Sequence, residues 1–290
     1  MPTQRDLFKA DQSLAYLFIA PTLAVLFALS IYPLIYSIKI SFQGNTGNAT
    51  LANFARLFAD RFFLAALGHT FVYAAIALTI EFLLGLAFAL VLNHNLRGRN
   101  AFRALLLVPM MLPPVVVGVV WRLLLNSNFG AINGTLKGFG FNTEALTWTA
   151  SPTLAMASVI IADIWQWTPF MFLILLAGLQ AIPQEPYEAA LIDGSSAWQT
   201  FRHVTLPLLK PAILIALLLR TMDLLRVFDH IFILTEGGPG FATETLSLYI
   251  YRTAFRFSNF GYAAAMSFVL LVITNLISAG YIRLLQTREA

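Results

Sequence analysis

Long apolar stretches dominate the hydropathy pattern of this chain, in place of the two-residue alternation of a half-buried strand or the narrow stripe of a surface helix. An α-helix needs about twenty predominantly apolar residues to cross a bilayer's hydrocarbon core. Six segments qualify, over residues 14–42, 69–92, 104–125, 152–177, 206–234 and 263–285. Between them lie an Asn- and Gly-rich stretch that turns amphipathic (43–68), a short basic stretch (93–103), a second Gly- and Asn-rich stretch (126–151), a polar island within 183–205, and a segment that opens on EGGPG (235–262). The expected fold is an all-α integral membrane protein with six transmembrane helices in one domain over residues 1–290. No internal repeat or low-complexity segment interrupts that plan.

Composition supports the same class. The chain is 59% hydrophobic and 11% charged, with a mean hydropathy of +0.76, well outside the range of soluble domains. The net charge of +4 comes from small scattered groups, which suits topology determinants and not a nucleic-acid surface. If six spans alternate sides, one face carries nine basic residues (Arg5, Lys9, Arg97, Arg99, Arg103, Arg202, Lys210, Arg283, Arg288). The other carries six (Lys39, Arg56, Arg61, Lys137, Arg252, Arg256). The positive-inside rule makes the first face cytoplasmic, with both termini and the polar island on it. Arg5 and Lys9 also resemble the basic start of a signal peptide. The apolar run behind them is too long for a signal core and is interrupted by Pro21 and Pro33, so an uncleaved first span is expected. With no cysteine, the chain has no disulfide and no thiolate site. The sequons at Asn48 and Asn133 are read as chance matches in Asn-rich turns.

Charge at bilayer depth is costly and therefore informative. Glu81 falls in the second span, Asp163 in the fourth, and Arg220, Asp223, Arg226 and Asp229 in the fifth. Neighbours three apart in that last series can pair, although the series drifts about 60° per step around a helix of 3.6 residues per turn. Arg220 and Asp223 suit either a lining of the transport pathway or a structural ion pair. For Glu81 a structural hydrogen bond to a neighbouring helix is the simpler expectation. Beside Asp163, Trp165 and Trp167 precede Pro169, which should kink the fourth span. Aromatic faces next to hydrogen-bonding groups suit sugars, although tryptophans also serve as packing or interface anchors. The four histidines fall in different segments, so no metal site is expected. GGPG lacks the lysine and the strand-to-helix setting of a phosphate loop.

The polar island reads as two short helices about a turn. Pro186 suits a first helical position, Asp193-Gly194 a stop with glycine left-handed, and Ser195 or Ser196 the cap of a second helix presenting Trp198 and Phe201. Its residues Glu188, Ala189, Ala190, Gly194, Val204, Leu206 and Pro207 match the pattern E-A-A, three residues, G, nine residues, I-x-L-P, with Val204 replacing isoleucine. In this the chain resembles the membrane permease subunits of binding-protein-dependent ABC importers. The strings FRALLLVPMMLPPVVVGVVWR from Phe102, WTPFMFLILLAGLQAIP from Trp167 and FDHIFILTEGGPGFATETLSLYIYRTAF from Phe228 are similar to the maltose-type carbohydrate branch.

That resemblance implies an ATP-driven sugar importer in a bacterial or archaeal cytoplasmic membrane. Its expected partners are a second homologous permease, two nucleotide-binding ATPase subunits, an extracytoplasmic sugar-binding protein received by the outer loops around Gly237–Arg256, and the lipid bilayer. No cofactor is expected on this chain, since ATP and magnesium would be held by the partner ATPase. The island would be a coupling helix, with Glu188 making a polar contact, Ala189 and Ala190 allowing close approach, and Gly194 forming the turn. The rival expectation is an ion-coupled secondary transporter in which Glu81 or Asp163 titrates. An intramembrane enzyme is disfavoured because no nucleophile and base sit together.

Overall fold

The computed structural model describes residues 16–44 and 48–286. Expectations that rest on Arg5, Lys9, Arg288, the signal-like start or the first residues of the first span lie outside those residues. Apart from one antiparallel bridge between Gln43 and Ala49, the regular structure described is helical. The chain divides into two compact units, Met1–Ala59 with Ile250–Val269 and Asp60–Tyr249 with Leu270–Ala290.

In the first unit, α1 (Tyr16–Ser41) passes through a π-helical turn at Phe27–Ile31 and leaves its apolar side chains exposed, as a lipid- or partner-facing span does. The amphipathic helix α2 (Ala52–Ala59) buries Leu57. Asn53 on it donates from Nδ2 to the carbonyls of Ser41 and Gln43, at 3.1 and 3.0 Å, satisfying orphan acceptors where α1 ends.

The second unit is built on α3 (Arg61–Asn93), which starts earlier than residue 69 because Asp60 caps it, accepting from Phe62 and Phe63 N–H at 2.9 and 3.3 Å. Its buried stripe includes Ala66, Ala74, Ala77, Gly85 and Ala89. Small residues let helices approach closely, which in lipid replaces the missing hydrophobic drive. A Cβ added at Gly85 would lie 2.6 Å from Met171 Cβ, so this glycine is what allows α3 to meet α7 (Pro152–Ala181). Likewise a Cβ on Gly178 would lie 2.5 Å from that of Ala212, where α7 meets α9 (Ala197–Leu224).

Two expected spans are corrected. Residues 104–125 do not form one helix: α4 (Arg99–Leu107), continued by a tight turn at Pro109–Met111, and α5 (Pro114–Leu124) are bent by 97°. Prolines force this. Leu112 and Pro113 each precede a proline and take ψ of 137° and 140°, outside the helical region. Nor does the fifth span cover 206–234. Its helix α9 begins at Ala197, inside the stretch read as loop, and ends at Leu224, where Arg226 Nε donates to the Met222 carbonyl at 3.0 Å. Asp229 therefore belongs to a separate short helix, α10 (Asp229–Leu234). The fourth span fares differently: α7 continues as one helix through Pro169.

The remaining elements are α6 (Ala131–Gly138), α8 (Glu185–Ile192), α11 (Leu246–Tyr251), followed by a π-helical turn at Arg252–Arg256, and α12 (Phe260–Gln286). Asn133 on α6 is buried, donating to the carbonyls of Ser127 and Leu146 and accepting from Trp148 Nε1 at 2.7 Å. That accounts for its sequon structurally.

Candidate functional site

Helices α3, α7 and α9 each bring one charged residue to a common point below the protein surface. Arg220 on α9 donates from Nε to Glu81 Oε2 at 2.7 Å and from Nη2 to Oε1 at 2.9 Å, a two-pronged pair. Nη2 also meets Asp163 Oδ2 on α7, and Nη1 donates to Asp223 Oδ2 at 3.0 Å. The Arg220 guanidinium lies 5.0 Å from the centroid of the Trp167 ring, a cation–π distance. Glu81, Asp163 and Arg220 are buried, whereas Asp223 is 54% exposed. One guanidinium thus serves three carboxylates, and removing it would strand buried charge.

Two further groups complete the cluster. His230, at the start of α10, has Nε2 2.9 Å from Tyr73 Oη and 3.7 Å from Asp163 Oδ1. Close by, Gln166 Nε2 donates to the Leu112 carbonyl at 3.0 Å, at the bend of the third span. This is how irregular backbone is tolerated at membrane depth. In the sequence His230 has no partner at metal-ligand spacing, since the four histidines fall in different segments. Its partners arrive from α3 and α7, far away in sequence. No cluster of three or more His, Cys, Asp or Glu suited to a metal ion occurs among the described residues.

A polar crevice of about 110 Å³ opens on this cluster, lined by Asp163, Trp167, Arg220, Asp223, Arg226 and Asp229 among others. It has room for several water molecules. Of the six pathway candidates, Glu81, Asp163, Trp167, Arg220 and Asp223 are therefore brought together. Trp165 is not: two residues from Trp167 it turns about 200° around the helix, stacks edge-on against Trp121 at 6.0 Å, and lines a different, apolar cavity of about 690 Å³.

The island folds as its punctuation requires. Helix α8 ends in a left-handed glycine, Gly194 at φ 71°, with Ser195 N–H donating to the Ala190 carbonyl at 3.0 Å. Ser196 then starts α9 with a capping box: its Oγ accepts from Gln199 N–H at 3.4 Å while Gln199 Oε1 accepts from Ser196 N–H at 2.8 Å. Trp198 and Phe201 stack with centroids 5.6 Å apart. Ala190 is buried within its own chain, so the free face consists of Glu188, Ala189, Leu191 and Ile192, the last two 81% and 85% exposed. Leu191 and Ile192 were missed from sequence, where they pass as ordinary helix interior. Val204, Leu206 and Pro207 lie within α9 and not at the turn.

A broken third span, a buried charge cluster on three helices and a short helical turn projecting an apolar face describe a transport permease. The chain belongs to the family described as binding-protein-dependent transport system inner membrane component, whose model matches residues 81–289. It is 40% identical over 269 residues to the trehalose/maltose transport system permease protein MalF of Thermococcus litoralis, covering 91% of this chain and 90% of that one. It is 36% identical to the trehalose transport system permease protein SugA of Mycobacterium tuberculosis, covering 95% and 89%. The lactose transport system permease protein LacF of Rhizobium radiobacter is 34% identical, with 91% of each chain covered. Among solved structures, a bacterial ABC transporter involved in the import of the acidic polysaccharide alginate has a chain of the same fold, with a TM-score of 0.86, 23% identity, and 98% and 99% of the chains covered. The ion-coupled alternative finds no support in these relatives.

Proposed function

We propose that this chain is one of two permease subunits of an ATP-driven importer for a carbohydrate, lying in the inner membrane with both termini and the Glu188–Pro207 turn in the cytoplasm. The sugar class rests on the trehalose, maltose and lactose systems in which its relatives are named. ATP and magnesium belong to a partner ATPase pair, and an extracytoplasmic binding protein, docking on the loops around Gly237–Arg256, delivers the sugar. In a solved relative of the same fold the permease was captured with an alginate pentasaccharide-bound periplasmic protein.

The observation that carries the mechanism is helix α9. It starts at the Ser196 cap, where the turn would sit in a groove of the ATPase, and runs without a break to Arg220 and Asp223 in the crevice. The separation is 24 residues, about 36 Å at 1.5 Å per residue. A displacement at the turn is thereby delivered, along one continuous helix with a π-helical turn at Phe201–Thr205, to the charges that line the crevice. ATP and the loaded binding protein would each favour one of two states, which is a shift of population between inward- and outward-facing forms.

The test is reconstitution of the four-subunit assembly with its binding protein in proteoliposomes, with uptake of labelled trehalose, maltose and lactose measured. Gly194→Asp should leave the chain in the membrane but abolish ATP-dependent uptake, because a left-handed position with a side chain is strained by about 1–2 kcal/mol and the turn changes shape. Uptake at the wild-type rate by that variant, or uptake driven by an ion gradient without ATP, would sink the proposal.

A further inference from the structure

The crook of the broken third span holds a groove that the transport mechanism does not use. Its volume is about 690 Å³, and Ile80, Leu84 and Phe88 of α3, Phe102 and Leu105 of α4, and Trp165 of α7 form its walls. A sugar fits it poorly. Among the lining side chains only Thr168 and the indoles of Trp121 and Trp165 carry polar atoms, too few for the many hydroxyls of a buried sugar, each of which needs a partner.

The groove has a direction. Ile80, Leu84 and Phe88 recur every four residues along the groove wall of α3, while Leu92, one turn further on, points into the buried core. From Ile80 to Phe88 is about 12 Å at 1.5 Å per residue, most of one leaflet of a hydrocarbon core of roughly 30 Å.

Where the row ends, the chemistry changes to cationic. Arg103 Nη2 donates to the Leu92 carbonyl at 2.6 Å, and its Nε–H is shielded from solvent without a protein acceptor. Arg97 is exposed and Arg99 half-buried nearby, Arg99 holding Asn95 Oδ1 at 2.5 Å. Between Phe82 and Thr143 the sequence contains no Asp or Glu, so no carboxylate in that stretch answers these three arginines. On α4 the arginines alternate with Phe102 and Leu105, which line the groove, so that one amphipathic helix offers cations and apolar wall side by side.

We infer that this groove binds an anionic membrane phospholipid, its acyl chain lying along Ile80–Phe88 and its phosphate held by Arg103 and Arg99. Guanidinium groups match phosphate oxygens in paired hydrogen bonds, which ammonium groups do not. An acyl chain fills the space that the 97° bend keeps α4 and α5 from closing over.

The test uses the assembled transporter in phosphatidylcholine vesicles doped with photoreactive phosphatidylglycerol or photoreactive phosphatidylcholine, the diazirine lying within the acyl chain. Cross-linked peptides are identified by mass spectrometry. The phosphatidylglycerol probe should label the walls at 80–88 and 102–109 well above the phosphatidylcholine probe. Arg103→Gln and Arg99→Gln should each lower that excess about fivefold, the factor for one basic residue at an anionic surface. Arg99→Lys should keep only part of it, because the charge stays while the paired hydrogen bonds are lost, and Leu84→Trp should block labelling with either probe. Co-purification of the partner subunits checks that each variant is assembled. Equal labelling by the two probes would overturn the inference. So would unlabelled walls in the assembled transporter, which would mean that a partner chain covers the groove.

Discussion

Arg220 carries more of this protein's internal electrostatics than any other described side chain. It meets Glu81, Asp163 and Asp223 at once, and two of those three are buried. Truncating it leaves uncompensated charge in a medium that solvates it badly. Arg220→Met should therefore lower stability by about 3–5 kcal/mol, seen as a fall in thermal midpoint of the detergent-purified assembly. Glu81→Gln in that background should restore part of the loss, because it removes a stranded carboxylate; a double-mutant cycle reads this as a coupling energy. Asp223 is the contrasting case. Being half-exposed, its pair with Arg220 adds under about 1 kcal/mol, so Asp223→Asn should leave the thermal midpoint nearly unchanged. If the crevice lies on the sugar's path, the same variant should still slow uptake in proteoliposomes. Unchanged uptake would make Asp223 a structural partner only.

Among the elements, the critical features are caps and close approaches. The capping box at Ser196 fixes where α9 begins, and with it the register between turn and crevice. Ser196→Ala should cost about 1 kcal/mol and raise amide hydrogen exchange over residues 195–200 while leaving α7 protected. Where α7 meets α9, Gly178 faces Ala212 and Leu209 with no room for a Cβ. Overpacking such a contact costs about 1–3 kcal/mol, so Gly178→Leu should reduce the thermal midpoint and the yield of folded protein. The same substitution at Gly138, with open space around it, should do neither.

For the whole molecule, the proposed orientation is directly testable because the chain contains no cysteine. Ile192→Cys and Phe139→Cys place single thiols at sites 85% and 77% exposed. A membrane-impermeant maleimide should label Ile192→Cys only from the cytoplasmic side and Phe139→Cys only from the outside. Bound ATPase should protect the first thiol. Labelling of both from one side would reverse or redraw the topology.

The apolar segments alone determined that the chain is helical and membrane-spanning, because about twenty apolar residues leave a backbone in lipid no other way to satisfy its polar groups. Local rules also settled the island: glycine stops, serine caps and prolines act over a few residues, so Gly194 and Ser196 were legible from their neighbours. What only the tertiary structure decided was which distant groups meet. Glu81 and Arg220 are 139 residues apart, His230 reaches Tyr73 across 157, and Trp165 and Trp167 part company only because a helix turns about 100° per residue. The bend at Pro113 and Pro114 lies between these cases. Its prolines were visible, but hydropathy cannot distinguish a straight span from a broken one, since both are equally apolar. Where the fifth span ends was hidden for a similar reason. The hydrophobic pattern runs on through Val227 and Phe228, while the helix stops at Leu224, where Arg226 folds back onto the Met222 carbonyl.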